Sequence, residues 1–276
     1  MNNLRLFVFF SRLAKRFRKF LRVATVKPFP ALLPDASRAS EICELPYDVM
    51  STAEAKQIAE GRPCSFLHVS RPEINLPEGT ATNDPSVYAK ARENFDRLIA
   101  EGALRRDGQA HFYLYRQIMG EHTQLGLVAV ASCAEYEANT IRKHEITRPD
   151  KEDDRVAHLE VLDAQTGPVF LTYSADAELD ALFDRVAAGE PDVDFTAPDG
   201  VRHTSWTIAA GEDTAFVESR FDGIPNLYIA DGHHLSAAAS RVNQSRSGAG
   251  TSDLFLTVIF PHDQMQILAY NLSLIH

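Results

Sequence analysis

The stretch from residue 227 to about 244 restricts the fold more tightly than any other part of the chain. Leu227-Tyr228-Ile229-Ala230 is a short apolar run of strand type, and Asp231-Gly232-His233-His234 carries it without a spacer into an alanine-rich segment of helical composition. The same order recurs earlier, where Val169-Phe170-Leu171-Thr172-Tyr173 precedes a helical stretch over 175–188. Residues 203–209 and 254–260 read as further strands, and 111–119 with 124–131 as a hairpin around Gly120-Glu121-His122-Thr123. Ser51-Thr52-Ala53-Glu54 has the form of a capping box, opening a short helix that Gly61 ends. Asp84-Pro85 opens a longer helix, stopped by Gly102, with Val87, Tyr88, Ala91, Phe95, Leu98 and Ile99 on one face. A helix is expected over 153–165, capped by Asp153 or Asp154. His68, Arg71 and Glu73 alternate as along a strand that Pro72 places at a sheet edge or strand end, and Met265–Asn271 reads as a last strand. Alternating elements without an internal repeat predict an α/β fold (α+β fits as well), with a mixed β-sheet and flanking helices.

The composition is that of an ordinary globular chain, 45% hydrophobic and 24% charged over 276 residues. A formal charge of -10 argues against general nucleic-acid binding. Residues 1–22 oppose that balance, with seven cations, no acid and several Phe and Leu residues; removing them leaves 21 basic against 38 acidic residues. Such a basic amphipathic extension fits a helix lying on a membrane surface, and fits a secretory signal poorly because its cations follow the apolar stretch. Cys43, Cys64 and Cys133 form no C-x-x-C pair, which fits a reducing, cytoplasmic setting, and no apolar run is long enough for a transmembrane segment. P-loop, G-x-G-x-x-G, G-x-S-x-G and H-E-x-x-H motifs are absent.

The chemistry-bearing residues fall in four phrases. At the corner, Gly232 permits a tight turn and close approach of a ligand, the helix start favours an anion, and His233 and His234 add donors. Asp231 there is a candidate Mg²⁺ ligand or proton acceptor, or else a helix cap. In Pro46-Tyr47-Asp48-Val49, Tyr47 and Asp48 are candidates for substrate or metal, or a loop anchor in which Asp48 caps the helix at 51. Arg71 is a candidate anion clamp, or a salt-bridge partner of Glu73. The run Arg142-Lys143-His144-Glu145 through Arg155 holds both charge signs, either as a solvated run or as cations for phosphates with a carboxylate for an attacking hydroxyl. Asp154 and His158, four apart without a third ligand, read as structural.

These phrases, with Leu45-Pro46-Tyr47-Asp48-Val49, Phe66-Leu67-His68-Val69-Ser70-Arg71-Pro72-Glu73 and the Asp-Gly-His-His corner, resemble the domain-of-unknown-function 1015 family over residues 26–271. The resemblance implies ParB-like nucleotide-binding features, ATP and Mg²⁺ as cofactors, and phosphorylation of a small hydroxylated metabolite, free L-serine. It implies catalytic roles for Asp231, His233, His234 and Glu145, with Asp231 or Glu145 as the base or the Mg²⁺ ligand and Asp231 the metal candidate. It implies binding roles for Tyr47, Asp48, His68, Arg71, Lys143, His144, Gly232 and Arg155. Two alternatives stand beside it, a ParB-like nucleotide-binding module without kinase activity and an inactive truncated relative. Leu235 stands where the family phrase continues with Arg, removing a forked phosphate contact unless a neighbouring cation compensates. The resemblance also sets the expected boundaries. The family-type domain is expected over 23–271, with a start displaced from Val23, a C-terminal part cut short, and 272–276 as a non-native tail.

Overall fold

A computed structural model describes residues 24–267. Segments 1–22 and 272–276 lie outside the described residues, as does most of the strand expected over 265–271; Met265–Ile267 form no strand.

The frame is a nine-stranded mixed sheet. Its strands are β1 (Val26–Lys27), β4 (Phe112–Met119), β5 (His122–Ser132), β6 (Ile141–Arg142), β7 (Val169–Tyr173), β8 (Val193–Thr196), β9 (Arg202–Ile208), β10 (Leu227–Asp231) and β11 (Leu254–Pro261). Their order is β6-β10-β7-β11-β5-β4-β9-β8, with β1 added to β5. β10 runs parallel to β6 and antiparallel to β7, while β11 is parallel to β7. A short β2 (Leu32–Pro34) and β3 (Leu104–Arg106) pair separately. The alternating burial of β7 and β9 marks one face turned to the core, where Leu171, Tyr173, Trp206 and Ile208 pack with Phe183 and Phe221 of flanking helices.

Nine α-helices are described: α1 (Ala39–Ile42), α2 (Thr52–Ala59), α3 (Leu67–Ser70), α4 (Pro85–Ala100), α5 (Cys133–Glu137), α6 (Pro149–Leu162), α7 (Ala177–Ala187), α8 (Glu212–Phe221) and α9 (His233–Ser245). The capping box at Ser51 and Glu54 forms in both directions, so Ser51 and not Asp48 caps α2. α4 buries Val87, Ala91, Phe95 and Leu98, but Ile99 is exposed and Tyr88 only half-buried, because the Tyr88 hydroxyl reaches out to Asp154 at 2.9 Å. A second cluster joins α4 with Ile42, Val69 and Leu162, which seats the N-terminal helices against α6.

Two further expectations fail. Residues 67–75 are the short α3 followed by a 3-10 turn over Pro72–Asn75, not a strand. Local bonds drive this: the Ser65 hydroxyl accepts the Leu67 N–H, and Pro72 supplies a fixed φ where the second turn begins. α6 starts at Pro149, four residues early, with Arg148 as its cap and Pro149 at its first position. Asp153 instead pairs with Arg241 at 2.7 Å.

Sheet packing leaves one testable contact. A Cβ on Gly126 in β5 would stand 2.7 Å from two ring carbons of Phe260 and 3.0 Å from the Ile259 carbonyl. Gly126→Ala is expected to destabilise the fold by about 1–3 kcal/mol, read by urea unfolding, since the buried ring has nowhere to retreat. An unchanged midpoint would show that β11 can slide.

Candidate functional site

β10 ends at Asp231, and Gly232 turns the chain with φ 85° and ψ 29° before α9 begins. A side chain at 232 would be strained there, and its Cβ would press on the Val169 backbone at 3.3 Å. No side chain caps α9, and among the described residues the His233 and His234 N–H groups have no protein acceptor. The Asp231 carboxylate is occupied on one oxygen only, accepting the Gly232 N–H at 2.8 Å. The buried Ser236, Ala237, Ala238, Ala239 and Ser240 let α9 lie close to its neighbours. Arg241 pairs with Glu152 and Asp153, and Arg246 with Asp163, so α9 and α6 run side by side in the same direction. Their N-termini therefore meet, and α6 also has no side-chain cap. Two helix dipoles thus present their positive ends together.

The segment 143–148 spans this meeting point. His233 is buried, and its Nε2 accepts the His144 N–H at 3.5 Å, while His234 Nε2 accepts the Arg148 N–H at 3.2 Å. Acceptance at Nε2 leaves the His233 ring proton on Nδ1, which faces the Glu145 carboxylate at 3.5 Å. Burial holds the His233 pKa below its ordinary value, with the His144 ring, edge-on at 4.4 Å, acting the same way. Lys143 rests its ammonium 3.6 Å above the Tyr136 ring.

Opposite these groups stands the 46–50 loop. The Arg155 guanidinium stacks 4.3 Å from the centre of the Tyr47 ring and is paired with Asp154, which also accepts the Tyr88 hydroxyl. Burial raises the Tyr47 pKa; Arg155 opposes the rise, and Asp48, Asp154 and Asp231 add to it. Those influences bring Tyr47, Asp48, Arg155 and Asp231 into one electrostatic neighbourhood.

Arg71 holds the loop in place. Its Nε donates to Glu73 at 2.7 Å, one terminal nitrogen to the Tyr47 and Met50 carbonyls at 2.8 and 2.7 Å, and the other to Thr52 at 2.9 Å. Four of its five N–H bonds are therefore spent on protein, and the anion clamp read from the sequence becomes a loop clamp. His68 is likewise engaged, with Nδ1 against Asn75 and Nε2 against the Arg62 carbonyl. It lines a separate groove of about 390 Å³ with Lys56, Gln57, Glu60 and Asn75.

Leu235 shares a small cavity of about 30 Å³ with Arg155. Its side chain lies over Gly167 and Gly232, and Arg155 is the cation next to it. Asp154 and His158, which share α6, do not form a ligand pair. His158 is buried, bonding the Val69 carbonyl at 3.0 Å. Among the described residues no group of three or more His, Cys, Asp or Glu side chains could hold a metal. Sequence reasoning missed Asp154 and Tyr88 as supports of Arg155, and missed Glu44. That carboxyl takes the Ser70 hydroxyl on one oxygen and buries the other without a partner.

No helix of the described residues is long and apolar enough to cross a membrane. No curated protein and no solved structure matches the chain. One family does: the sequence matches the family described as "Protein of unknown function (DUF1015)" across residues 26–271, a span that includes the corner, the 143–148 segment and the Tyr47 loop. The chain belongs to the DUF1015 family.

Proposed function

We propose that the protein is an ATP-dependent kinase for a small hydroxylated metabolite, with free L-serine as acceptor, and that it works in the cytoplasm at the Asp231 corner. The observation that carries this reading is the meeting of two uncapped helix N-termini beside Lys143, Arg155 and the half-occupied Asp231 carboxylate. Phosphoryl transfer is mainly positioning and charge stabilisation, and this arrangement suits both.

In this reading the His233 and His234 N–H groups receive phosphate oxygens, and Lys143 and Arg155 offset their charge. Tyr47, fixed by the Arg71 clamp, borders the acceptor with Asp48. The acceptor hydroxyl attacks the γ-phosphorus, the bond to the ADP oxygen breaks, and Glu145 takes the hydroxyl proton. Mg²⁺ in kinases is commonly held by one or two carboxylates together with phosphates and water, and Asp231 fits that role without a protein cage. When bound it would neutralise phosphate charge.

Incubating the full chain with ATP, Mg²⁺ and L-serine should yield ADP and O-phosphoserine in equal amounts, followed by phosphorus NMR. ATP binding with no transfer to any of a panel of hydroxylated metabolites would instead favour a ParB-like nucleotide-binding module. No ATP binding at all would remove the corner as a nucleotide site.

A further inference from the structure

We propose that residues 143–148 are a lid that closes over the bound nucleotide, with Ile146 as its apolar cap and Glu145 as the carboxylate base it delivers. This rests on the reading of the Asp231 corner as the nucleotide site. Both ends of the segment are anchored. On one side Ile141 is fully buried and pairs with Leu227, and Arg142 bonds Asn226 at 3.1 Å. On the other, Pro149 begins α6 with its φ fixed by the ring.

Between the anchors the chain is held by surface side-chain contacts: Lys143 lies over the Tyr136 ring, Glu145 faces His233 Nδ1 at 3.5 Å, and Arg148 pairs with Asp150 at 2.7 Å. All of its side chains are exposed except that of Thr147, which bonds Glu152. Among the described residues its backbone N–H groups find two acceptors, the Nε2 atoms of His233 and His234. At 3.5 and 3.2 Å these bonds lie at or past the long end of the ordinary range, so little is lost in exchanging them. The two histidines thus act as a latch in this state. Their own N–H groups, at the helix start, remain directed at the site.

An isolated exposed isoleucine is common on protein surfaces. Ile146 differs in place: it is 94% exposed and sits midway between the two latched residues, His144 and Arg148. An inward turn of this segment carries Ile146 and Glu145 towards the corner together. Closure of that kind keeps water away from the transferring phosphoryl group and completes the catalytic set.

Hydrogen–deuterium exchange on the full chain, with calorimetry of ATP·Mg²⁺ in parallel, tests the proposal. ATP should slow exchange at 143–148 by about tenfold or more. Without ATP, a His233→Ala/His234→Ala double variant should exchange faster there than the wild type. Ile146→Ser should melt with the wild type, because its side chain touches solvent, yet bind ATP about three- to tenfold more weakly. ATP binding with unchanged exchange at 143–148, unchanged exchange in the double variant, or wild-type affinity in Ile146→Ser would each overturn the lid and leave the nucleotide site standing. No ATP binding to the wild type would overturn both.

Discussion

Asp231→Asn is expected to keep ATP and lose turnover. Asparagine has the same shape, and its amide oxygen can accept the Gly232 N–H that Asp231 accepts at 2.8 Å, so the strand-to-helix turn stays intact. Melting within a few degrees of the wild type is the control for that. The N–H groups at the start of α9, Lys143 and Arg155 are untouched, and affinity for the nucleotide should move little. On the proposed kinase reading, what disappears is a negative charge that would hold Mg²⁺ beside the γ-phosphoryl group. Loss of one electrostatic partner of a transition state commonly costs about a hundred- to a thousandfold in kcat, and that fall is expected for serine phosphorylation. The Mg²⁺ concentration for half-maximal rate should rise at the same time. A variant with wild-type kcat would reduce Asp231 to the partner of the Gly232 amide.

The contrast between what the residues announced and what they concealed has a physical pattern. β7 and β11 were legible because a run of four to eight apolar residues between polar breaks has few other uses. The α9 corner was legible because glycine after a strand and alanines after the glycine specify a turn and a helix locally. Residues 67–75 were not, since Leu67 and Val69 are buried with His68 between them, which also fits a strand, and four residues cannot separate a period of 2 from one of 3.6. The start of α6 was misplaced because its cap, Arg148, carries no capping oxygen. The site itself was legible as residue types and not as contacts. The histidine latches join positions 89 and 86 residues apart, and nothing near His233 in the sequence names His144 as its partner. Arg71 was read as an anion clamp or as the partner of Glu73; the ion pair forms, but the carbonyls of Tyr47 and Met50 that it binds instead of an anion carry no signal in residue identity.

Glu44, silent in the sequence, gives the last prediction, a gain of stability that exists only at higher pH. It lies under the Tyr47 loop with one oxygen on the Ser70 hydroxyl and the other buried without a partner. Burial pushes its carboxyl up from 4.5 to about 7, against the pull of the Ser70 hydroxyl and of nearby Arg71. A raised carboxyl means that the unfolded chain releases its proton first. The cost to folding is therefore absent below pH 4.5, grows between pH 4.5 and 7, and is constant above that, at about 3 kcal/mol. His158 has the opposite slope. Burial depresses it from 6.5 to about 4, so its cost is absent above pH 6.5 and grows as the pH falls to 4. Between pH 4.5 and 6.5 the two slopes cancel, one group costing more as the other costs less. Glu44→Gln keeps an acceptor for Ser70 and removes the titration. The variant should match the wild type near pH 4, gain on it by about 1.4 kcal/mol per pH unit from 4.5 to 7, and hold that lead at pH 8. The variant alone should also lose stability on acidification below pH 6.5, because the slope from His158 is no longer compensated. Urea unfolding of both proteins from pH 4 to 8 measures the difference directly. Parallel curves would mean that water or a cation reaches the second oxygen of Glu44 and that its charge is already accommodated beneath the loop.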